Sequence, residues 1–478
     1  MAAGDTEPAR GQTDRELVAE LASVVGVNNT FTGSEADDYG LDDRGVLTGP
    51  IIAAVRPAST AEVAALVRTC ASRGIPIVTQ GGHTGLSGGA QPIDGQPSVL
   101  VSLSRMRTIE SVDSLDATIT VQAGATIESI QDAARAIGAM FAPDWGARGS
   151  ASIGGAISTN AGGINVLQYG PMRDQVLGLE VVLADGRIWN GMRSLRKDSS
   201  GYQLRQLFVG AEGTLGIVTR AVVRLVPAIA DHQTALLALS SLDAALPLLS
   251  TARENGRTVV AFELVPEVGL SAAVTKFALQ RPIDTVSQWY VLARIAAPSD
   301  SAAAAMTDFL ERAADAGHIV DAAVAGTPDQ EANLWRIRDA LRPADLWDRI
   351  DGYVKYDVAV PVGRMVEFLQ RVETMVVDLA PQWLPYSFGH LGDGNIHLYV
   401  LPPDGDWEPA GRGAIEEAIN ALTFELGGTL TAEHGVGQLL LDQMRDQKDP
   451  LELELAWRIK NALDPEGLFN PGKTLPSQ

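Results

Sequence analysis

The sequence predicts an α+β chain built from two globular parts, and three observations point to it. Strand-like alternation and helical periodicity interleave along both halves. Glycine-rich loops beside apolar runs are concentrated in the first half. After Pro227 the composition shifts to Ala- and Leu-rich segments with few such loops. The 478 residues correspond to about three domain-sized units at roughly 150 residues each. The expected partition is a leader and helix over 1–47, a first domain over 48–227, a second over 228–430, and a segment over 431–478 that returns to the first.

Composition excludes several classes. With 46% hydrophobic and 20% charged residues, the chain is ordinary for a globular protein and unlike a disordered one. A net charge of −22 argues against a nucleic-acid or anionic-membrane surface. The single cysteine, Cys70, excludes internal disulfides, a four-cysteine zinc site and a cysteine-ligated iron–sulfur cluster. No run of about 18 apolar residues offers a membrane span. The polar, acid-containing N-terminus, a frayed leader over 1–16, lacks the pattern of a secretory or transit peptide. The expected location is therefore cytoplasmic.

The first domain opens with a strand-like GPIIAAV, followed by Ser59-x-x-Glu62, a capping-box pattern. Val63, Leu66, Val67 and Cys70 then recur at helical spacing, which makes Cys70 a core residue rather than a reactive thiol. A strand over Ile75–Thr79 follows. Ile119, Val121 and Ala123 alternate as a half-buried strand, and Ile127, Ile130, Ala134 and Ile137 form a helix face. Asp185-Gly186 between two apolar runs marks a hairpin. In the second domain, FELV, WYVLARI and YVKYDVAV read as strands, and Ala302–Ala316 as a helix ended by Gly317.

Chemistry enters with the glycines. Gln80-Gly-Gly-His-Thr-Gly-Leu-Ser-Gly-Gly89 follows a strand directly. Such a loop lets backbone N–H groups approach an anion closely, as a pyrophosphate requires. It is neither a Walker loop nor a clean G-x-G-x-x-G. Gly149–Gly155, Asn160–Gly163 and Gly210–Ile217 add further loops, each expected beside an apolar strand, and together they suit one long nucleotide.

The segments GARGSASIGGAISTNAGG, YGPMRDQVLGLEVVLADG and SLRKDSSGYQLRQLFVGAEGTLGIVT resemble the FAD-binding domain of the vanillyl-alcohol oxidase / p-cresol methylhydroxylase superfamily. Within it, the chain is most similar to the D-2-hydroxyglutarate dehydrogenase and D-lactate dehydrogenase family, from about Thr48 to Lys473. The resemblance implies an N-terminal p-cresol-methylhydroxylase-type FAD domain of two α+β subdomains, a ferredoxin-like α+β cap and a short C-terminal helical segment. It assigns Gln80, Gly81, Gly82, His83, Thr84, Gly85 and Gly88 to the FAD pyrophosphate. Ser150, Gly154, Gly155, Thr159 and Asn160 would line the flavin and its linker. Glu212, Gly213, Gly216 and Ile217 would hold the adenosine side, and Asn470 would approach the flavin. Relatives place Asn or Ala at His83. A Gly-Gly-His carries FAD covalently in other members of the superfamily, so His83 offers either a covalent bond or a hydrogen bond to the cofactor.

Three of the six histidines fall between His390 and His434. In His390-Leu-Gly-Asp-Gly-Asn-Ile-His397 a turn leads into a strand. There Ile396, Leu398 and Val400 point one way, so His397 and Tyr399 point to the other, polar face. Thr431-Ala-Glu433-His434 adds a carboxylate and a third imidazole. Two His and a Glu suit a first-row metal with an open position; unrelated loop histidines are the alternative. The resemblance assigns His390, His397 and Glu433 to a divalent metal, commonly zinc, and makes His434 the base that takes the 2-hydroxyl proton while hydride passes to flavin N5.

Trp335, Arg338 and Arg342 are spaced for one helical face before Pro343, and Lys355 lies in a strand. The alternative is a solvated basic face. In relatives the residues matching Arg338 and Lys355 bind substrate carboxylate, for which a guanidinium fork is suited. Arg342 stands where the 2-hydroxyglutarate enzyme has Thr, Tyr399 where it has Asn, and Gln438-Leu-Leu replaces a more basic stretch. These departures bear on which 2-hydroxy acid is taken. The implied activity is FAD- and metal-dependent oxidation of a D-2-hydroxy acid, foremost D-2-hydroxyglutarate, by a homodimer that passes electrons to an electron-transfer flavoprotein or a quinone. A D-lactate or glycolate-type dehydrogenase or oxidase, a metal hydrolase without flavin, and a non-catalytic flavin-binding subunit are the rival readings.

Overall fold

The computed structural model describes residues 7–42, 47–229, 231–297, 301–347, 352–402 and 409–477. Two compact units result. One comprises Met1–Gly163, Gly170–Ala228 and Glu433–Gln478; the other comprises Ile164–Tyr169 and Ile229–Ala432.

The first unit carries two sheets. In one, Ile51–Val55, Ser98–Ser102 and Ile77–Gln80 run parallel, with Ser98–Ser102 central and Thr30–Phe31 paired antiparallel at the edge. The other is antiparallel, in the order Ile109–Asp113, Thr118–Gln122, Ile217–Arg224, Val176–Val182, Ile188–Gly191. The helix Thr60–Ala71 follows the first parallel strand. Ser59 caps it by accepting the Glu62 N–H, and Glu62 in turn accepts the Ala58 N–H. Its face of Val63, Leu66, Val67 and Cys70 is buried in the core. Burial pushes the Cys70 thiol up to about 12, beyond the opposing effect of Arg73, as a packing residue should be. The hairpin at Asp185-Gly186 forms, with Gly186 at φ 76°.

Three local expectations change. Residues 1–6 of the expected leader lie outside the described residues, but a helix runs from Glu7 to Val25 and buries Leu17 and Leu21. The helix Ile127–Arg135 ends before Ile137, which is exposed. The loop Gly149–Gly155 leads into a helix, Ile153–Thr159, where the sequence suggests loop alone, and it lies beside the end of the strand Thr118–Gln122, with the Gly154 N–H donating to Ala123 O. Ser152 is the helix N-cap and accepts the Gly155 N–H.

The second unit opens with His232–Leu239, a helix, Thr258–Pro266, the helix Glu267–Lys276, Trp289–Ala296, a helix and Ile319–Val324. These strands form one antiparallel sheet ordered Thr258–Pro266, Trp289–Ala296, His232–Leu239, Ile319–Val324, the ferredoxin-like arrangement. Alternate residues feed two cores. Leu237, Phe262, Leu264 and Val291 face one, while Leu236, Val265, Tyr290 and Leu292 face the other. A three-stranded sheet places Asn395–Leu401 between Val354–Ala359 and Leu384–Phe388.

Candidate active site

In the first unit the strand Ile77–Gln80 delivers the chain into the loop 81–89. The C-terminal segment is stitched to that strand: the Ile77 N–H donates to Leu468 O (2.8 Å) and the Asn470 N–H to Ile77 O (2.9 Å). Glycine is required where the loop meets Gly149–Gly155. A Cβ on Gly82 would sit 2.0 Å from the Ser150 carbonyl oxygen, and one on Gly81 2.2 Å from Ser152 Oγ. The Gly82 N–H donates to Ser152 Oγ at 3.1 Å. Beyond it, the amides of His83, Thr84, Gly85 and Leu86 donate to no acceptor among the described residues. A run of uncommitted N–H groups, half-buried at His83 and Thr84 and exposed at Gly85 and Leu86, fits a pyrophosphate. His83 adopts φ 59°, and its Nε2 lies 2.8 Å from Gln91 Nε2. Asn160 ends the helix Ile153–Thr159 at φ 52°, with Oδ1 accepting the Arg173 N–H.

Glu212, Asn470 and Lys473 lie together nearby. Asn470 Nδ2 donates to Glu212 O (2.6 Å) and to Gly89 O (3.2 Å). The Glu212 carboxylate accepts the Gly437 N–H (3.0 Å) and the Thr474 hydroxyl (2.6 Å). Burial drives the Glu212 pKa up against these bonds. Burial likewise takes Lys473 down to about 7, opposed by the Glu212 charge. Gly213 borders Asn470. Gly216 packs on Val181, and Ile217 begins the central strand. Glu433 Oε1 accepts the Gly163 N–H at 2.6 Å, and His434 O accepts the Ser87 hydroxyl at 3.0 Å.

The second unit builds its site from side chains. Gly389 bridges to Leu264, with the Leu264 N–H donating to Gly389 O at 2.7 Å. This holds His390 beside the strand Thr258–Pro266. The turn after His390 leads into Asn395–Leu401, whose Ile396, Leu398 and Val400 are fully buried. The His390 and His397 rings lie 5.5 Å apart. Each is backed by a carboxylate: His390 Nδ1 donates to Glu263 Oε1 at 2.8 Å, and His397 Nδ1 lies 3.5 Å from Asp357 Oδ1. Asn395 Nδ2 holds Asp357 at 2.8 Å. Carboxylate-backed imidazoles are the usual donors to a divalent ion, so this pair fits one.

Arg338 is 8% exposed, which rules out a solvated basic face there. Its Nε donates to Glu263 Oε2 at 2.6 Å, and its guanidinium lies over Phe388. Its terminal nitrogens donate to nothing among the described residues. Burial would raise the Glu263 carboxyl, but the His390 and Arg338 charges override it and hold it at about 2. Arg342 departs from the expected face. The helix Pro328–Asp339 stops short of it, and Arg342 caps the next short helix in extended conformation. It is exposed and pairs with Asp345 at 2.6 Å. Proline at the next position disfavours the helical conformation, which explains the break. Lys355 stands opposite Tyr399 across the sheet, and Asp357 opposite His397. The face carrying His397 is both polar and aromatic: Lys355, Asp357 and Asn395 share it with Phe388 and Tyr399. Tyr399 is buried, stacked on Phe388 at 6.0 Å and close to Tyr353. Sequence reasoning missed Glu263, Asp357, Ser152 and Lys473. Among the described residues, no helix is long and apolar enough to cross a membrane.

The glycine-loop fold and the site chemistry fit an FAD-binding oxidoreductase, and the comparisons with known proteins give that class. Residues 51–191 match the model of an FAD binding domain, and residues 230–474 that of the C-terminal domain of FAD linked oxidases. The fold is that of p-cresol methylhydroxylase with substrate bound, at a TM-score of 0.75 and 17% identity over 97% of this chain and 98% of that one. A D-2-hydroxyglutarate dehydrogenase of Xanthomonas citri pv. viticola is 34% identical over 96% of this chain and 97% of its own. The mitochondrial D-2-hydroxyglutarate dehydrogenase of Rattus norvegicus is 35% identical over 89% of this chain and 78% of its own. The chain belongs to the FAD-linked D-2-hydroxyglutarate dehydrogenase family, whose members oxidise the CH–OH group of a hydroxy acid.

Proposed function

We propose that the protein oxidises D-2-hydroxyglutarate to the 2-oxo acid with FAD and a divalent metal ion, zinc. The observation that carries this reading is the placement, within one unit, of a carboxylate-backed imidazole pair and a buried arginine. When bound, FAD supplies a two-electron acceptor and the metal ion supplies Lewis acidity toward the 2-hydroxyl.

The chain's own residues do the rest. Gln80, Gly81, Gly82, His83, Thr84, Gly85 and Gly88 hold the pyrophosphate, chiefly through backbone amides. Ser150, Gly154, Gly155, Thr159, Asn160, Glu212, Gly213, Gly216, Ile217 and Asn470 shape the remainder of the FAD site. His390, His397 and Glu433 are the metal ligands. Arg338 takes a substrate carboxylate on its terminal nitrogens. Lys355 and Tyr399, paired across the sheet, flank the substrate side chain, with Arg342 beyond them. His434 accepts the 2-hydroxyl proton. Electrons leave for an electron-transfer flavoprotein or a quinone, and the enzyme works in the cytoplasm as a homodimer. The burial of Tyr399 against Phe388 favours a second substrate reading, a shorter acid such as D-lactate.

Dialysis against a strong chelator, followed by Zn²⁺ addition, tests the metal. Turnover is expected to vanish and return while the yellow flavin stays bound. Full turnover at zero metal content would reject the metal.

A further inference from the structure

Glu263 has no role in the reaction as described, yet it lies at the centre of the second unit's charged cluster. It is 1% exposed. It sits on Thr258–Pro266, beside the Leu264–Gly389 bridge that brings His390 alongside. Its two oxygens serve different partners: Oε2 accepts from Arg338 Nε at 2.6 Å, and Oε1 accepts from His390 Nδ1 at 2.8 Å. Asp357, by contrast, approaches His397 only at 3.5 Å and is itself held by Asn395.

We propose that Glu263 is a positioning residue that orients the metal ligand His390 and the carboxylate-binding Arg338 with a single carboxylate. Accepting the Nδ1–H fixes the His390 tautomer with its lone pair on Nε2, the nitrogen that meets a metal, and raises its donor strength. Accepting the Nε–H of Arg338 fixes the guanidinium plane and turns its terminal pair toward a substrate carboxylate. Phe388, 5.5 Å from the Arg338 carbon, limits rotation out of that plane. Metal and substrate charge are thereby held in one register by a buried group that touches neither.

The inference rests on the metal reading above, and the test separates the two. Zn²⁺ affinity is measured by competition with a chromophoric chelator, and KM with a D-2-hydroxy acid, on the FAD-loaded protein. Arg338→Met is expected to raise KM and leave Zn²⁺ affinity unchanged. Glu263→Leu is expected to weaken Zn²⁺ by about ten- to a hundredfold, the usual effect of losing a carboxylate behind a metal-binding histidine. Because Glu263→Leu strands a buried arginine, the double variant Glu263→Leu/Arg338→Met removes both charges and keeps the fold testable. It should show the same loss of Zn²⁺ affinity. Glu263→Gln should restore most of that affinity, since its amide oxygen still accepts from His390. KM should stay high, because the amide NH₂ then faces Arg338. If the double variant binds Zn²⁺ as tightly as wild type, Glu263 is an ordinary structural ion-pair partner and the proposal is wrong. If wild type itself takes up no Zn²⁺, the metal reading falls and this inference with it.

Discussion

The two units present different atoms at their candidate sites. The first offers backbone: glycines pressed against carbonyls, and a run of amides from His83 to Leu86 that no described acceptor engages. The second offers side chains: buried His390 and Arg338, half-buried His397, and the carboxylates behind them. A backbone site is made by local chain geometry, so its chemistry depends on room for the chain. A side-chain site depends on partners far apart in sequence, so losing one partner leaves another charge buried and uncompensated. The contrast suits the proposed tasks, since a dinucleotide needs a long cradle and a small hydroxy acid needs a few fixed charges.

The largest expected effect concerns proton removal. His434→Asn should slow flavin reduction by about 10²- to 10⁴-fold, the range for a general base, while FAD stays bound. Stopped-flow absorbance under nitrogen reads both, and undiminished reduction would end the role of His434 as base. Next come the two arginines. Arg338→Met removes one partner of a buried pair and should cost about 3–5 kcal/mol of stability as well as raising KM. Arg342→Met, at an exposed arginine paired with Asp345, should leave the melting temperature unchanged. Equal melting losses for both would erase the distinction between buried and exposed charge in this unit.

The backbone site is tested by bulk. Gly82→Ala puts a Cβ 2.0 Å from the Ser150 carbonyl oxygen. About 1–3 kcal/mol of destabilisation is expected from the forced shift, together with loss of FAD on purification. A normally yellow, equally stable Gly82→Ala protein would show that the loops have slack. The smallest effect belongs to Cys70, whose folded pKa is raised to about 12 from 9.0. The folded state then holds its proton where the unfolded state has lost it. The contribution is full below about pH 9 and is lost as pH climbs toward 12. By linkage the loss reaches about 1.4 kcal/mol by pH 10. Denaturant titrations at pH 8 and 10 should show that fall, and Cys70→Ala should flatten it.

Local rules made much of this legible from sequence. The period of two in Asn395–Leu401 separated His397 and Tyr399 from the buried Ile396, Leu398 and Val400. The Ser59–Glu62 cap and the glycine loops are equally local. What stayed hidden was long-range. Glu263 meets His390 only because Leu264 bridges to Gly389 across more than a hundred residues, and no motif spans that distance. Arg342 was misplaced for a readable reason: the proline that follows it ends the helical periodicity. The polar face assigned to His397 does carry Lys355, Asp357 and Asn395, but it gains rings as well, because Phe388, Tyr386 and Tyr353 arrive from neighbouring segments.

The most direct test of the central claim is an anaerobic visible spectrum of the purified protein titrated with D-2-hydroxyglutarate and, separately, with its L-enantiomer. The account predicts a flavin band that bleaches with the D-acid alone. A band that bleaches with the L-acid, or with neither enantiomer while FAD is bound, would contradict it.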